Sequence, residues 1–203
     1  MNSNNHTIFW IKEKNGRKLA TLNNSKENEY RVWKPYRSKL AAAIINGIEI
    51  FPILKKSKIL YFDTFMENTI NHISDIIGID GKIFLPKNYT SSNFLGGIEN
   101  YSTNISLIND IKKSAIDDVD VLYVDALNQN FLDIVINSKV YLKKGGYLML
   151  VIKTNEIFEN QDSNDQENNR YKKIKSLFNI IQEINLTDFF SGQTMLIAKY
   201  TNP

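Results

Sequence analysis

In a chain of 203 residues with no cysteine and only two histidines, any chemistry falls to lysines and carboxylates. Three of them stand where apolar runs end or a helix begins. Lys39 lies near the start of the alanine-rich stretch SKLAAAIINGIEI (38–50), Asp125 closes DVLYVD (120–125), and Lys153 closes YLMLVIK (147–153). A lysine held beside a carboxylate and partly removed from water can orient a hydroxyl or take its proton. Each residue also has a plainer reading. A carboxylate ending a strand caps the next helix or pairs with a lysine, a strand-end lysine is solvated, and Lys39 alone reads as a helix-surface residue. Asp125 and Lys153 could also persist as a buried ion pair that holds the fold. His72 sits inside a helical pattern and reads as a packing or surface residue. Without cysteine there are no disulfides, thiolate nucleophiles or cysteine–zinc sites, and two separated histidines make no metal set.

The elements that must position these residues follow from periodicity. HTIFWIKE and RKLATLN flank Lys14-Asn15-Gly16, a strong hairpin signal, and NEYRVW supplies a third strand. Pro35 ends that section, dividing the chain into a small antiparallel sheet (1–34) and a main domain (35–203). The helix over 38–50 is followed by short apolar strands KILYF (58–62), KIFLP (82–86), NISLI (104–108), DVLYVD and YLMLVIK, with helices over 68–77 and 129–142. Such runs suit strands covered on both faces. The acidic, polar stretch 156–169 reads as a mobile loop, and Tyr171–Ile184 as one helix carrying Ile174, Leu177, Phe178 and Ile181 on its apolar face. TDFF and TMLIAKY read as a closing antiparallel strand pair. The expected fold is α/β, a mostly parallel sheet with an antiparallel C-terminal edge.

In such sheets ligands sit beyond the carboxyl ends of the strands, which singles out Asp63, Lys87, Asp110, Asp125 and Lys153. The glycine pairs in GGIEN (96–100) and KKGGY (143–147) follow no strand and read as turns, the second as a helix stop. The formal charge of +3 permits nucleic-acid contact without demanding it. Two of the four arginines, Arg31 and Arg37, lie within EYRVWKPYRSK. No apolar run approaches ~20 residues, so no membrane span is expected, and MNSNNHTIFW lacks signal-peptide character. The lack of cysteine fits a cytosolic protein.

The segment YRVWKPYRSKLAAAIINGIEIFPI (30–53) resembles the fibrillarin family closely. HISDIIGIDGKIF (72–84), DVDVLYVDA (118–126) and VYLKKGGYLMLVIKT (140–154) are similar to further family segments in the same order, and the resemblance runs over roughly residues 6 to 200. It implies a Rossmann-like methyltransferase domain behind a small β-sheet. The implied activity is S-adenosylmethionine-dependent RNA ribose 2′-O-methylation within box C/D guide ribonucleoproteins. The implied partners are a coiled-coil scaffold protein, a guide RNA and a substrate RNA. Lys39, Asp125 and Lys153 match the family's catalytic lysine, aspartate and lysine, while a family histidine is Gln193 here. Arg31, Lys34 and Arg37 become candidate contacts to RNA phosphates or acidic scaffold residues. The implied location is cytoplasmic for an archaeal-type protein and nucleolar for a eukaryotic one.

The departures from the family pattern gather at one ligand. The family turn Gly-x-Ala-Ser-Gly-Thr-Thr, which lets the backbone approach S-adenosylmethionine, corresponds to Asp63, Thr64, Phe65, Met66, Glu67, Asn68 and Thr69. The family glutamate for the cofactor's ribose hydroxyls corresponds to Lys87, which has donors and no acceptor. The adenine loop has its nearest match at Asp110. The positions that would touch the cofactor are therefore Asn68, Thr69, Lys87, Asp110, Asp125 and Asn128. The expectation is a fibrillarin-like structural component with impaired or lost cofactor binding. The alternative is an active guide-directed methyltransferase using Lys39, Asp125 and Lys153.

Overall fold

Alternating side chains of short apolar runs face opposite sides of a strand, and here both sides are buried. The computed structural model describes residues 7–14, 16–24, 29–63, 67–89, 103–116, 118–125, 131–154 and 166–201; side chains at 67 and 166–170 are not described. Strands β1 (Ile8–Glu13), β2 (Gly16–Leu22) and β3 (Tyr30–Val32) form an antiparallel sheet in that order. A 3-10 turn at Pro35–Arg37 leads into α1 (Lys39–Ile45), with Ser38 Oγ accepting from the Ala41 amide as N-cap. Then follow β4 (Lys58–Asp63), α2 (Glu67–Ile77), β5 (Lys82–Pro86), β6 (Ile105–Ile108), β7 (Val119–Asp125), α3 (Phe131–Ser138), β8 (Leu142–Lys153), α4 (Gln166–Leu177), β9 (Phe178–Asn185) and β10 (Gln193–Tyr200).

The large sheet has the order β6-β5-β4-β7-β8-β10-β9. Strands β6 through β8 run parallel, and β10 is antiparallel to both its neighbours. The chain winds outward from β4 to β6 and then returns to β7 on the other side of β4. That reversal creates a crevice at the carboxyl ends of β4 and β7, where Asp63 and Asp125 are register partners. On one face Tyr61, Tyr123 and Val151 pack with Leu40, Ile70 and Ile73 of α1 and α2. On the other, Phe62, Val124 and Leu150 pack with Ile134 and Val135 of α3 and Ile174 of α4.

Four readings of the sequence are corrected. The helix expected over 38–50 stops at Ile45, and Gly47 takes φ +90 just beyond it. The helix expected over 129–142 is α3, followed by a 3-10 turn at Lys139–Tyr141. Strand β8 begins at Leu142, so Gly145 and Gly146 lie within it rather than stopping a helix. Gly145 has φ +76, a Cβ on Gly146 would lie 2.8 Å from Leu142 Cδ1 and 3.0 Å from the Asp120 carbonyl, and the β7–β8 register shifts alongside. The glycines thus build a bulge. Finally, helix α4 ends at Leu177 and Phe178–Asn185 is a strand, while TDFF is a turn whose Phe189 and Phe190 amides donate to Leu186 O. The apolar positions 178, 180 and 184 fit a period of two as well as a helical one, and β10 needs a partner on its open side. Residues 166–169 belong to α4; the rest of the expected 156–169 loop, and GGIEN, lie outside the described residues.

The small sheet is fastened to α2. Trp33 stacks on His72 with ring centroids 4.3 Å apart. Thr21 Oγ1 donates to Asp75 at 2.8 Å and lies 2.8 Å from His72 Nδ1. Arg31 Nε donates to the same Asp75 at 2.8 Å, and the Asn24 amide caps its other oxygen. Leu19 and Trp33 join the apolar cluster of α1 and α2, so the two sheets share a core. His72 is thus a packing residue, and burial, with the Arg31 charge beside it, pushes its imidazole down to about 3. A base whose folded pKa is depressed stays neutral when folded, whereas the unfolded chain takes up a proton below about 6.5. Stability that His72 allows near neutrality is therefore lost as pH falls from about 6.5 towards 3. His72→Phe keeps the stack and removes the titration. Measured by urea unfolding, the stability of wild type relative to this variant should decline as pH falls from about 7 to about 4; a constant difference would refute the assignment.

Candidate functional site

The crevice at the β4–β7 reversal gathers three charged groups that are out of water. Lys39 is 7% exposed, Asp63 7% and Asp125 3%. Lys39 stands on the first turn of α1, and its Nζ donates to Asp125 Oδ1 at 2.5 Å. The same ammonium lies 5.7 Å from the centre of the Phe190 ring. The reading of Lys39 as a helix-surface lysine is corrected: the alanines after it let α1 sit close against the sheet, which directs its first turn into the crevice. Asp63 accepts from Tyr61 Oη at 2.7 Å, and Tyr61 stacks on Tyr123. Burial, then the nearby carboxylates, raise both phenols well above their ordinary range, so they stay neutral donors.

Register partners on adjacent parallel strands have backbones roughly one strand spacing, ~4.8 Å, apart, which makes Asp63 and Asp125 near neighbours. Burial first, and then the charge of Asp63, push the Asp125 carboxyl up to about 7, against the opposing pull of Lys39. Asp125 Oδ2 is buried and has no hydrogen-bond partner among the described residues, and the same holds for Tyr123 Oη and Gln193 Oε1. The cluster can therefore hold and exchange a proton near neutrality.

The other expected site residues divide. Lys153 is exposed at the end of β8, opposite Gln193 in the β8–β10 register. The expected buried pair between Asp125 and Lys153 is corrected: Asp125 bonds to Lys39, which the helix brings over the strand ends. Thr69 is buried and shares a 2.8 Å hydrogen bond with Ser38, linking α2 to the cap of α1. Asn68 is half-buried, and Lys87 is exposed in the 3-10 turn after β5. Asp110 caps its own turn, accepting from the Lys112 amide at 2.9 Å, with Lys113 Nζ at 3.7 Å. Asn128, Phe65 and Met66 lie outside the described residues. Arg31 is engaged by Asp75 and Asn23, whereas Lys34 and Arg37 flank the turn before α1. Sequence reasoning missed Phe190 as a neighbour of Lys39; the paired aromatics in TDFF were its only signal. Among the described residues no group of His, Asp and Glu could hold a metal, and no helix is long and apolar enough to cross a membrane.

The raised Asp125 carboxyl has a sign. Between about 4 and about 7 the folded state keeps a proton that the unfolded state releases, so this contribution to stability is lost as pH rises through that window. Asp63→Asn removes the neighbouring charge. The Asp125 midpoint, followed by carboxyl ¹³C NMR, should then move down from about 7; an unmoved midpoint would mean the two groups do not interact. Asp125→Ala strands the Lys39 ammonium and should cost about 3–5 kcal/mol in denaturant unfolding.

A family model described as Fibrillarin matches residues 5–202. The chain is 34% identical over 183 residues to the fibrillarin-like rRNA/tRNA 2′-O-methyltransferase of Sulfurisphaera tokodaii, a match covering 85% of this chain and 78% of that protein. To the Pyrococcus abyssi protein of the same description it is 31% identical, covering 85% and 80%. Among solved structures, the Methanococcus jannaschii fibrillarin pre-rRNA processing protein superposes with a TM-score of 0.76 at 28% identity, covering 97% of this chain and 95% of that one. Aeropyrum pernix fibrillarin, solved with natively bound S-adenosyl-L-methionine, superposes with a TM-score of 0.81 at 25% identity, covering 95% and 94%. By sequence over nearly its whole length and by the order of its strands, this chain belongs to the fibrillarin family.

Proposed function

We propose that the chain serves as the fibrillarin-type subunit of a box C/D guide ribonucleoprotein acting in rRNA and tRNA modification, and that it contributes assembly rather than methyl transfer. The family, and relatives described as rRNA/tRNA 2′-O-methyltransferases, support the particle; the crevice chemistry supports the loss of cofactor use. On this reading the partners are a coiled-coil scaffold protein, a guide RNA and its substrate RNA.

The observation that carries this reading is the buried carboxylate of Asp63. Strand β4 ends there with a charged side chain bonded to Tyr61, beside a second carboxylate on β7. S-adenosylmethionine bound in the family manner needs bare backbone at that turn, and its own carboxylate would meet a like charge. At the end of β5, Lys87 offers donors where the ribose hydroxyls need an acceptor. Thr69 is bonded to Ser38, and Asp110 caps its own turn. The residues present do not fit S-adenosylmethionine, and we derive no methyl-transfer step through it. In place of a cofactor contact, Asp125 bonds to Lys39 and ties α1 to the sheet, while Asp63 is held by Tyr61.

One observation favours a second reading, an active enzyme: the contact between Lys39 and Asp125 survives, with the carboxyl near neutrality. Titration calorimetry separates the two. With S-adenosylmethionine raised to millimolar concentration, the assembly reading predicts no saturable heat and no rise in melting temperature. The same protein should still assemble with a scaffold protein and guide RNA. Binding tight enough for ligand at ~100-fold over Kd would stabilise the fold by ~2.7 kcal/mol, and that result would favour the enzyme.

A further inference from the structure

At the end of the large sheet opposite the crevice, the amino ends of the parallel strands carry a row of lysines. Lys58 and Lys82 are register partners on β4 and β5. On the other side of β4 come β7, β8 and β10. Between the register pairs Val119–Leu142 and Val121–Tyr147, β7 has the single residue Asp120, whereas β8 has Lys143, Lys144, Gly145 and Gly146. Residues in a bulge leave the ladder, and Lys143 and Lys144 are accordingly exposed. Lys199 of β10, opposite Tyr147, lays its stem along this bulge: a Cβ on Gly145 would lie 3.7 Å from its Cε, and its Nζ is 5.9 Å from the centre of the Tyr147 ring. Of the carboxylates at this end, Asp120 accepts from Lys143 Nζ and, at 2.7 Å, from the Lys58 amide. Asp80 pairs with Lys56 at 3.3 Å, and Asp118 is exposed just before β7. Lys58, Lys82, Lys144 and Lys199 have no carboxylate partner among the described residues.

We propose that this row holds the phosphodiester backbone of RNA, without reading its sequence, on the side of the molecule away from the crevice. Ammonium groups are compact point charges suited to phosphate oxygens. The sheet sets them out at its own spacing: from β5 to β10 there are four strand intervals, ~19 Å, a length that covers several phosphates. Reading bases would call for arginine forks or open stacking rings, and the row has no arginine, while the Tyr147 ring lies against Lys199. An acidic peptide would call for apolar anchors between the charges, where this row has Asp120 and two glycines. The choice of RNA as the polyanion rests on the reading of the chain as a guide-ribonucleoprotein subunit. The row does not depend on the fate of the cofactor, because the length of β4, roughly 17 Å, separates Lys58 from Asp63.

The test measures fluorescence anisotropy of a labelled RNA of about 20 nucleotides, single-stranded and annealed to its complement, with the intact protein over a range of salt concentrations. The Lys58→Gln, Lys144→Gln, Lys199→Gln triple variant removes three exposed cations from the row. It should bind about tenfold more weakly at ~100 mM salt, and the slope of log affinity against log salt should fall by about 2. The Lys112→Gln, Lys172→Gln, Lys173→Gln variant makes the same change in net charge, after β6 and on α4, and should bind as wild type does. An unchanged melting temperature verifies folding. Lysine acetylation of the wild type, read by mass spectrometry, supplies the answer without a variant: RNA should protect Lys58, Lys82, Lys144 and Lys199 and leave Lys112 and Lys173 open. Equal losses in the two variants, equal labelling with and without RNA, or no salt-dependent binding would overturn the proposal. An acidic peptide of equal charge that binds as tightly as the RNA and is lost in the row variant would assign the surface to a protein and equally overturn it. The subunit role fails on a different result, a wild-type chain that does not assemble with scaffold protein and guide RNA, whatever its lysines do with free RNA.

Discussion

One ammonium bonded to a buried carboxylate, with a second buried carboxylate on the neighbouring strand, is the constraint on which the centre of this molecule depends. Lys39, Asp125 and Asp63 are almost out of water, and such charges are tolerated only when they are paired or protonated. The pairing fixes where α1 must lie. Ser38 caps that helix, Thr69 ties the cap to α2, and Phe190 lies over the lysine. The carboxyl of Asp125 rises first because it is buried and then because its neighbour is another acid. The described side chains that end β4 and β7 are bonded within the molecule, Asp63 to Tyr61 and Asp125 to Lys39.

A second set of polar contacts transmits that arrangement outward. Thr21 and Arg31 of the small sheet converge on Asp75, and Trp33 stacks on His72 of α2. Through these the three-stranded sheet, α2 and α1 form one packed body with a shared apolar cluster. The turn at Pro35–Arg37 leads from the small sheet into the helix that carries Lys39.

Much of this was legible in residue pattern. Strands β4, β5 and β7 are short apolar runs ending at Asp63, Pro86 and Asp125, and they occur as expected. The family segments at 30–53, 118–126 and 140–154 named Lys39, Asp125 and Lys153 as one set, of which the structure bonds the first two. What failed had physical reasons. The stretch after Leu177 fits both periods, and the demand of β10 for a neighbour decided for a strand. Glycines at 145 and 146 read as a helix stop because a bulge needs the same residue type. The burial of Lys39 could not be read from its own neighbourhood, since the carboxylate that holds it is 86 residues away in sequence. Asp63 was recognised as a departure, but its tie to Tyr61 needed the strand in place.

The most direct measurement is a crystal structure of the protein grown or soaked with millimolar S-adenosylmethionine. The account predicts no methyl donor beyond the carboxyl ends of β4 and β7, with Lys39 still on Asp125 and Asp63 still on Tyr61. A donor seated there at full occupancy, its ribose held at the end of β5 and Asp63 turned aside, would contradict it.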